Sequence, residues 1–403
     1  MDRRTYMSTV GLAAAGTFAG CAGIGPESDG SGGDTPVTDS SDVDGAAFAV
    51  ETVTENVERP WGFAFRPGTS ELLVTERDSG RLLSVDRESG EREPIGGTPT
   101  VDSSGQGGLL DVTLHPEFPA EPWVYLTYSA TNGNGETTTH LGRGRLEEGS
   151  AEFRSFETLH AAEPFIAENG HYGSRVVFGD DGAAYLTVGD RQFKDFGPEH
   201  VSQDTTNELG ATLRLEPDGT IPADNPFLGD PDVVDSIFSY GHRNAQGMTV
   251  HPETGELWQS EHGEQDGDEI NVVEGGRNYG WPVTHYGCTY SGGDPIGEQP
   301  HERDDVADPV YYWECNSGGF PPSGATFYTG DVFPEWYGDL FVGNLAGGYL
   351  GRFSVEGRDV AELGPLLEGY GWRIRDVENE PETGHLYVAV DGPTGPLVRL
   401  VPE

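Results

Sequence analysis

Basic residues are scarce in this chain: Lys and Arg total 23 against 69 Asp and Glu, a formal charge of −46. A surface that negative repels a phosphate backbone and excludes a general nucleic-acid role. With so few Lys and with acids spread over every loop, it reads as the surface of a protein from a high-salt cytoplasm or brine. There the Debye length falls to about 3 Å at 1 M and self-repulsion is screened. Long uninterrupted helical patterns are missing too, which argues against a fold built on helices. What is plentiful is glycine, 60 residues, and proline, 28, with 10% aromatic residues, a composition suited to many short strands joined by tight turns. A length of 403 residues admits several small domains or one large unit, and all-β propellers reach this size as a single unit.

The first residues, MDRRTYMSTVGLAAAGTFAGCAG, join a twin arginine, Arg3-Arg4, to an apolar run from Val10 to Ala19 too short to span a bilayer, and then to FAGC. The stretch resembles a Tat export signal ending in a lipobox. Residues 1–21 are then the signal and Cys21 the lipidated first residue of the mature chain; a plain cleaved signal with a stray Cys is the alternative. Residues 22–45 have the Gly/Ser/Asp/Thr composition of a disordered tether, so the folded domain is expected over 46–403. The expected location is extracytoplasmic, at the cell surface, with the membrane met only through the anchor at Cys21. Cys288 and Cys315 would sit where disulfides persist, and both a bridge and two free thiols remain open.

One pattern recurs: an apolar alternating strand, a turn with Gly, a second strand rich in Leu, Tyr and Val, then a polar tip. It begins at PWGFAFRPGTSELLVTERDSGRLLSVD (60–86) and GGLLDVTLHPEFPAEPWVYLTYS (107–129), and continues at 173–191, 246–263, 323–345 and 373–391, six occurrences in all. The repetition predicts an all-β, six-bladed β-propeller of four-stranded antiparallel blades. At roughly 60 residues per blade it exceeds the usual ~40–45, and the excess is expected in long loops at 192–240 and 277–320. Such loops on a rigid scaffold usually carry function.

The phase of the repeat locates a site. Residues just before each first strand and just after each second strand gather at one rim of a propeller. That rule collects Gln106, His171, Arg243 and Asn244 from strand beginnings, and Asp190, EHGEQDGDE (261–269) and GNLAGG (343–348) from strand ends. Arg373 and Arg375, two apart on a strand, point to one side. A base, a carboxylate, three arginines and amides converge.

In their order along the chain, GQGGLLDVTLHPEF, HYGSRVVFG, LEPDGTIPADNPF, SYGHRNAQGM, GDEINVVEGGRNYGWP and WRIRDV resemble the PQQ-dependent soluble glucose dehydrogenase and aldose sugar dehydrogenase family. The resemblance covers about Val50 to Pro402. It implies oxidation of the anomeric carbon of an aldose to a lactone, with His171 as general base and hydride transfer to PQQ. Asp190 would fix the imidazole tautomer and stabilise the imidazolium. Arg373 and Arg375 match a pair that binds the cofactor's carboxylates, as bidentate guanidinium suits. Arg243 and Asn244 match residues at the quinone oxygen that gains charge, and Gln106 matches a glutamine at the sugar and cofactor edge. The same resemblance implies Ca²⁺ held by the carbonyls of Gly263 and Glu264, with Glu269 and Tyr279 at a second, structural calcium site. The electron acceptor is unidentified.

The chain departs from the family at several positions. Ala346 stands where the family has a PQQ-contacting lysine, Glu264 where it has Pro, Gly170 where the glucose enzyme has a carboxylate, and Arg191 in place of a sugar-contacting glutamine. A second reading is a non-catalytic extracellular propeller that binds glycan or protein partners at the same rim. A metal-dependent lactonase would need Asp, Asn and Glu side chains along the channel axis, and the arginines oppose it.

Overall fold

The computed structural model describes residues 47–403; the signal and tether expected over 1–21 and 22–45, with Cys21, lie outside the described residues. No helix among the described residues is long and apolar enough to cross a membrane. The described residues form six four-stranded antiparallel sheets, the blades of a β-propeller. Their innermost strands are Pro60–Phe65, Leu109–Leu114, Val176–Phe178, Ala245–Val250, Pro322–Phe327 and Ile374–Asn379.

Second strands such as Ala184–Val188, Leu257–Glu261 and Leu386–Val390 are buried at every position. Each blade packs both faces against neighbours, so apolar residues fill both sides and strict alternation is lost there. The outermost strand of blade five, Asp359–Leu366, is by contrast mostly exposed or half-buried, and only Leu366 is buried. Where blades six and one meet, Val57, Leu72, Val74, Ala389 and Leu397 are completely buried, at about 1.5–3 kcal/mol for each large side chain. Gly182 and Gly384 turn hairpins at φ of 81° and 75°, a region that L-residues avoid.

Blade six is built from both ends of the chain. Phe48–Val57 pairs antiparallel with Gly395–Pro402, from Phe48 opposite Pro402 to Val57 opposite Gly395. This clasp closes the ring and removes the edge an open sheet would present. The loop expected over 192–240 is half wrong in kind: it holds the third and fourth strands of blade three, Ala211–Leu215 and Ile237–Tyr240. Strands of five and four residues set among Pro, Gly and Asn carry too little alternation to be seen in sequence. The segment 277–320 contains only the two-residue strand Tyr311–Tyr312 and a single short 3-10 turn, Pro300–Glu302.

In five of the six blades the pairing of the first strand slips near its start, at Pro60/Phe63, Leu109/Val112, Ala245/Gly247, Pro322/Ala325 and Ile374/Asp376. Such bulges bend a strand and re-aim its side chains. All five lie at the end of the strand that faces the cavity described next.

Candidate active site

Every blade contributes to a cavity of about 600 Å³ at one end of the inner strands. Of the residues collected from the phase of the repeat, Gln106, His171, Arg243, Asn244, Gly263, Glu264, Arg373 and Arg375 all line it, as does Ala346. Asp190 stands one layer behind.

His171 occupies a turn at φ 45°, held by its own N–H donating to Gln106 Oε1 at 2.8 Å. Gly173, two residues on, donates its N–H to Asn244 Oδ1 at 3.1 Å. The imidazole Nδ1 meets Asp190 Oδ1 at 2.6 Å, and Nε2 has no partner among the described residues. Asp190 in turn accepts from Trp281 Nε1 at 2.9 Å and from the Gln192 N–H at 2.9 Å. Desolvation, helped by the positive charge of Arg243 and opposed by Asp190, holds the His171 imidazole below its ordinary pKa. Burial works to raise the Asp190 carboxyl, but His171, Arg243 and His200 together carry it below its usual range. The pair is therefore a neutral imidazole fixed by an ionised carboxylate, with one ring nitrogen free to accept a proton.

Positive charge crowds the rest of the cavity. Arg373 and Arg375 share one carboxylate oxygen, Asp391 Oδ2, at 3.3 Å. Burial, reinforced by Arg77 and Arg373 and opposed by Asp391, pulls Arg375 down to about 10, so it stays charged at neutral pH. Arg243 reaches Glu264 Oε2 at 2.5 Å and leaves its buried Nε without a partner. Trp61 also lines the cavity, with the Arg375 guanidinium 5.9 Å from its ring. A cavity with arginines in excess and an orphaned guanidinium nitrogen suits a multiply anionic guest such as a tricarboxylate.

The expected calcium residues separate into two places. The carbonyls of Gly263 and Glu264 accept no hydrogen bond among the described residues, although both residues are buried, which suits carbonyl ligation of a hard cation. The Glu264 carboxylate is engaged elsewhere, with Arg243 and with Lys194 Nζ at 2.5 Å. Glu269 and Tyr279 do not line the main cavity; they adjoin a separate space of about 10 Å³ beside Thr284 and His285. The Tyr279 hydroxyl donates to the Val272 carbonyl and accepts the Glu274 N–H. Among the described residues no three His, Cys, Asp or Glu side chains converge on a metal position.

Arg191 is not a cavity residue. It is fully buried, its guanidinium 3.9 Å from the Tyr172 ring centroid, donating to the carbonyls of Gly170 and Thr137 at 2.8 Å. It braces the His171 turn from behind, and Gln192 beside it lines the cavity instead. At Gly170 a Cβ would come within 2.4 Å of the Gln192 side chain, so the glutamine fills the space a larger residue would need.

Trp61, Gln192, Lys194 and Trp281 escaped the sequence reading, and His262 entered it only within the stretch 261–269. Trp61 follows the same phase rule, opening the first repeat. Trp281 meets Asp190 across 91 positions, a contact no sequence window contains.

Fold and site together define a six-bladed propeller with a buried histidine–carboxylate pair beside a guanidinium cluster. A model of the glucose/sorbosone dehydrogenase family matches residues 57–399, and the chain belongs to that family. It is 36% identical over 362 residues to the aldose sugar dehydrogenase YliI of Escherichia coli strain K12, covering 89% of this chain and 94% of that protein. The crystal structure of the soluble aldose sugar dehydrogenase from Escherichia coli in the apo-form matches with a TM-score of 0.80 at 36% identity, over 89% of this chain and 100% of that one. The PQQ-bound aldose sugar dehydrogenase from Streptomyces coelicolor matches with a TM-score of 0.72 at 27% identity, over 89% and 99% of the two chains.

Proposed function

We propose that the protein oxidises the anomeric carbon of aldose sugars to lactones with PQQ as its cofactor, and that His171 is the general base. The observation that carries this reading is the His171–Asp190 pair, poised neutral and ionised, at a cavity also lined by arginines. PQQ, when bound, supplies the two-electron oxidant that accepts a hydride. Arg373 and Arg375 would hold its carboxylates, Arg243 and Asn244 its quinone edge, and Gln106 would meet cofactor and sugar. Ca²⁺ would be held by the carbonyls of Gly263 and Glu264, and a second, structural Ca²⁺ near Glu269 and Tyr279.

The chain's own groups do the acid–base work. His171 Nε2 takes the proton of the anomeric hydroxyl. Asp190 keeps the other proton on Nδ1 and stabilises the imidazolium that forms. Trp281 and the Gln192 N–H fix that carboxylate, so the ring cannot swing away from the substrate. At the departure marked by Ala346, Lys194 from another loop is the lysine on the cavity wall, where it pairs with the Glu264 carboxylate.

His171→Ala tests this. In protein reconstituted with PQQ and Ca²⁺, sugar-dependent dye reduction is expected to fall by about a thousandfold, within the 10²–10⁴ of a general base, while PQQ absorbance titrates as in the wild type. Full activity in the variant would refute the assignment. A glycan-binding propeller without catalysis would show sugar binding independent of PQQ.

A further inference from the structure

Cys288 and Cys315 are joined by a disulfide that has no part in the catalytic reading. What it ties together is the proposed cation-binding wall of the cavity. The hairpin 263–268 is gripped from two sides. On one, Gln265 exchanges both backbone hydrogen bonds with Cys288, at 2.9 and 3.0 Å. On the other, the Gly267 N–H donates to the Trp313 carbonyl at 2.7 Å, the Trp313 N–H donates to the Asp268 carbonyl at 3.0 Å, and the Asn316 N–H donates to Asp266 Oδ2 at 2.6 Å. The Phe320 N–H closes that side on Asp268 Oδ2 at 2.7 Å, and Asp268 Oδ1 accepts the Gly263 N–H at 2.9 Å. The disulfide thus clamps the segments on either side of the hairpin that carries the free carbonyls of Gly263 and Glu264.

Such a clamp is needed on two counts. Segment 285–320 has almost no regular structure to hold it, and it carries Asp294, Glu298, Glu302, Asp304, Asp305, Asp308 and Glu314 beside a hairpin that itself holds Glu264, Asp266 and Asp268. Arg303 pairs with Glu298 and Asp305, and the remaining excess of like charge favours separation of the segments, most strongly when salt is low. The stack of Tyr286 on Tyr312 at 3.5 Å opposes this, but it lies on the strand side of the loop, not at the hairpin.

We propose that Cys288–Cys315 is a positioning element: it holds the 263–268 hairpin in the geometry that presents its carbonyls to a hard cation, and so sets the affinity for Ca²⁺ and, through it, for PQQ. The cofactor half rests on the function proposed above; the mechanical half does not.

Two measurements on the full chain separate them. The first is hydrogen exchange of the cofactor-free protein, oxidised and after reduction by dithiothreitol, in which the two sulfurs gain two electrons and two protons as the reagent becomes a cyclic disulfide. Faster exchange confined to 263–268 and the flanking 286–288 and 313–320 is expected, with the blade strands unchanged. Unchanged exchange in the hairpin, or acceleration spread through the blades as a merely structural bridge would give, overturns the proposal. The second is the Ca²⁺ dependence of PQQ binding, followed by cofactor absorbance, in the native protein and in Cys288→Ser/Cys315→Ser. The Ca²⁺ needed for half-maximal binding should rise by about tenfold, the scale of lost support behind a metal ligand, and by more at low than at molar salt. At saturating Ca²⁺ and PQQ the KM for the sugar and kcat should stay within about twofold, since the His171 wall is untouched. An unshifted Ca²⁺ midpoint overturns the cofactor half. If even the oxidised protein takes up no PQQ with Ca²⁺, the proposed function falls, and the exchange experiment alone still decides whether the disulfide holds the hairpin.

Discussion

Two clusters of buried charge lie at opposite ends of the inner strands, and they resolve their charge differently. In the cavity the arginines outnumber the acids that face them. At the other end, Arg175 is surrounded by Asp111 at 2.9 Å, Asp376 at 3.1 Å and Glu378, beside a smaller cavity of about 260 Å³. Trp61 separates the two, with Arg175 4.5 Å and Arg375 5.9 Å from its ring.

The acids of the second cluster are structural. Asp111 on blade two accepts the Val176 N–H of blade three at 2.8 Å, and Asp376 on blade six accepts the Phe63 N–H of blade one at 3.2 Å. Each carboxylate thus joins the inner strands of neighbouring blades. Gly62 and Gly324 are required beside them, since a Cβ there would lie 2.3 and 1.8 Å from the Asp111 and Asp376 oxygens. The surplus negative charge has an internal outlet: burial, opposed by Arg175, raises Asp111 to about 7, and burial raises Glu378 well above its ordinary value. A carboxylate can discharge by taking a proton, whereas a guanidinium cannot shed one near neutral pH. The acidic cluster therefore needs no ligand, and the arginine cavity is relieved only by an anion from outside.

Breaking the acidic cluster should produce the largest change. Arg175→Met leaves its carboxylates without their cation and is expected to cost about 3–5 kcal/mol of unfolding free energy, read by denaturant titration; a loss below about 1 kcal/mol would mean the acids are already neutral. Arg375→Gln should do the reverse. It removes a poorly compensated charge, so stability should hold or rise slightly, while PQQ affinity falls by about thirtyfold, equivalent to about 2 kcal/mol for a charge-assisted hydrogen bond. Equal losses of stability in both variants would erase the distinction between the two clusters.

The smallest effect, counted per pH unit, comes from Asp111. Because the folded-state pKa of Asp111 is raised from 3.8 to about 7, the folded protein holds a proton that the unfolded chain has released in that window. The contribution to stability is fully present below pH 3.8 and is lost as pH rises to about 7, at up to about 1.4 kcal/mol per pH unit for one proton. Asp111→Asn should flatten that slope relative to the wild type in parallel unfolding curves. Identical slopes would show that Asp111 is ionised throughout.

The sequence made the blades legible because each inner hairpin repeats the same alternation and turn, and the rim legible because the repeat has a phase. It hid the clasp, since Phe48 and Pro402 pair across the whole folded chain, and it hid the short outer strands of blade three. Within the site, His171, Asp190 and the arginines stand at strand ends that the phase marks. Lys194, Gln192 and Trp281 arrive on loops whose course depends on packing. The exchange of Arg191 for Gln192 at the cavity has the same origin: both residues have positive φ, 56° and 64°, and a left-handed pair of residues reverses the strand-like alternation that would have aimed Arg191 inward.

The most direct test of the arginine cavity as a cofactor site is a titration of chelator-stripped protein with PQQ and Ca²⁺ in molar salt, following cofactor absorbance and dye reduction with several aldoses. Saturable PQQ uptake that requires Ca²⁺, with sugar-dependent reduction appearing in step, is the predicted result. Failure to take up PQQ under those conditions would contradict it and leave the guanidinium cluster as a recognition surface for some other anion.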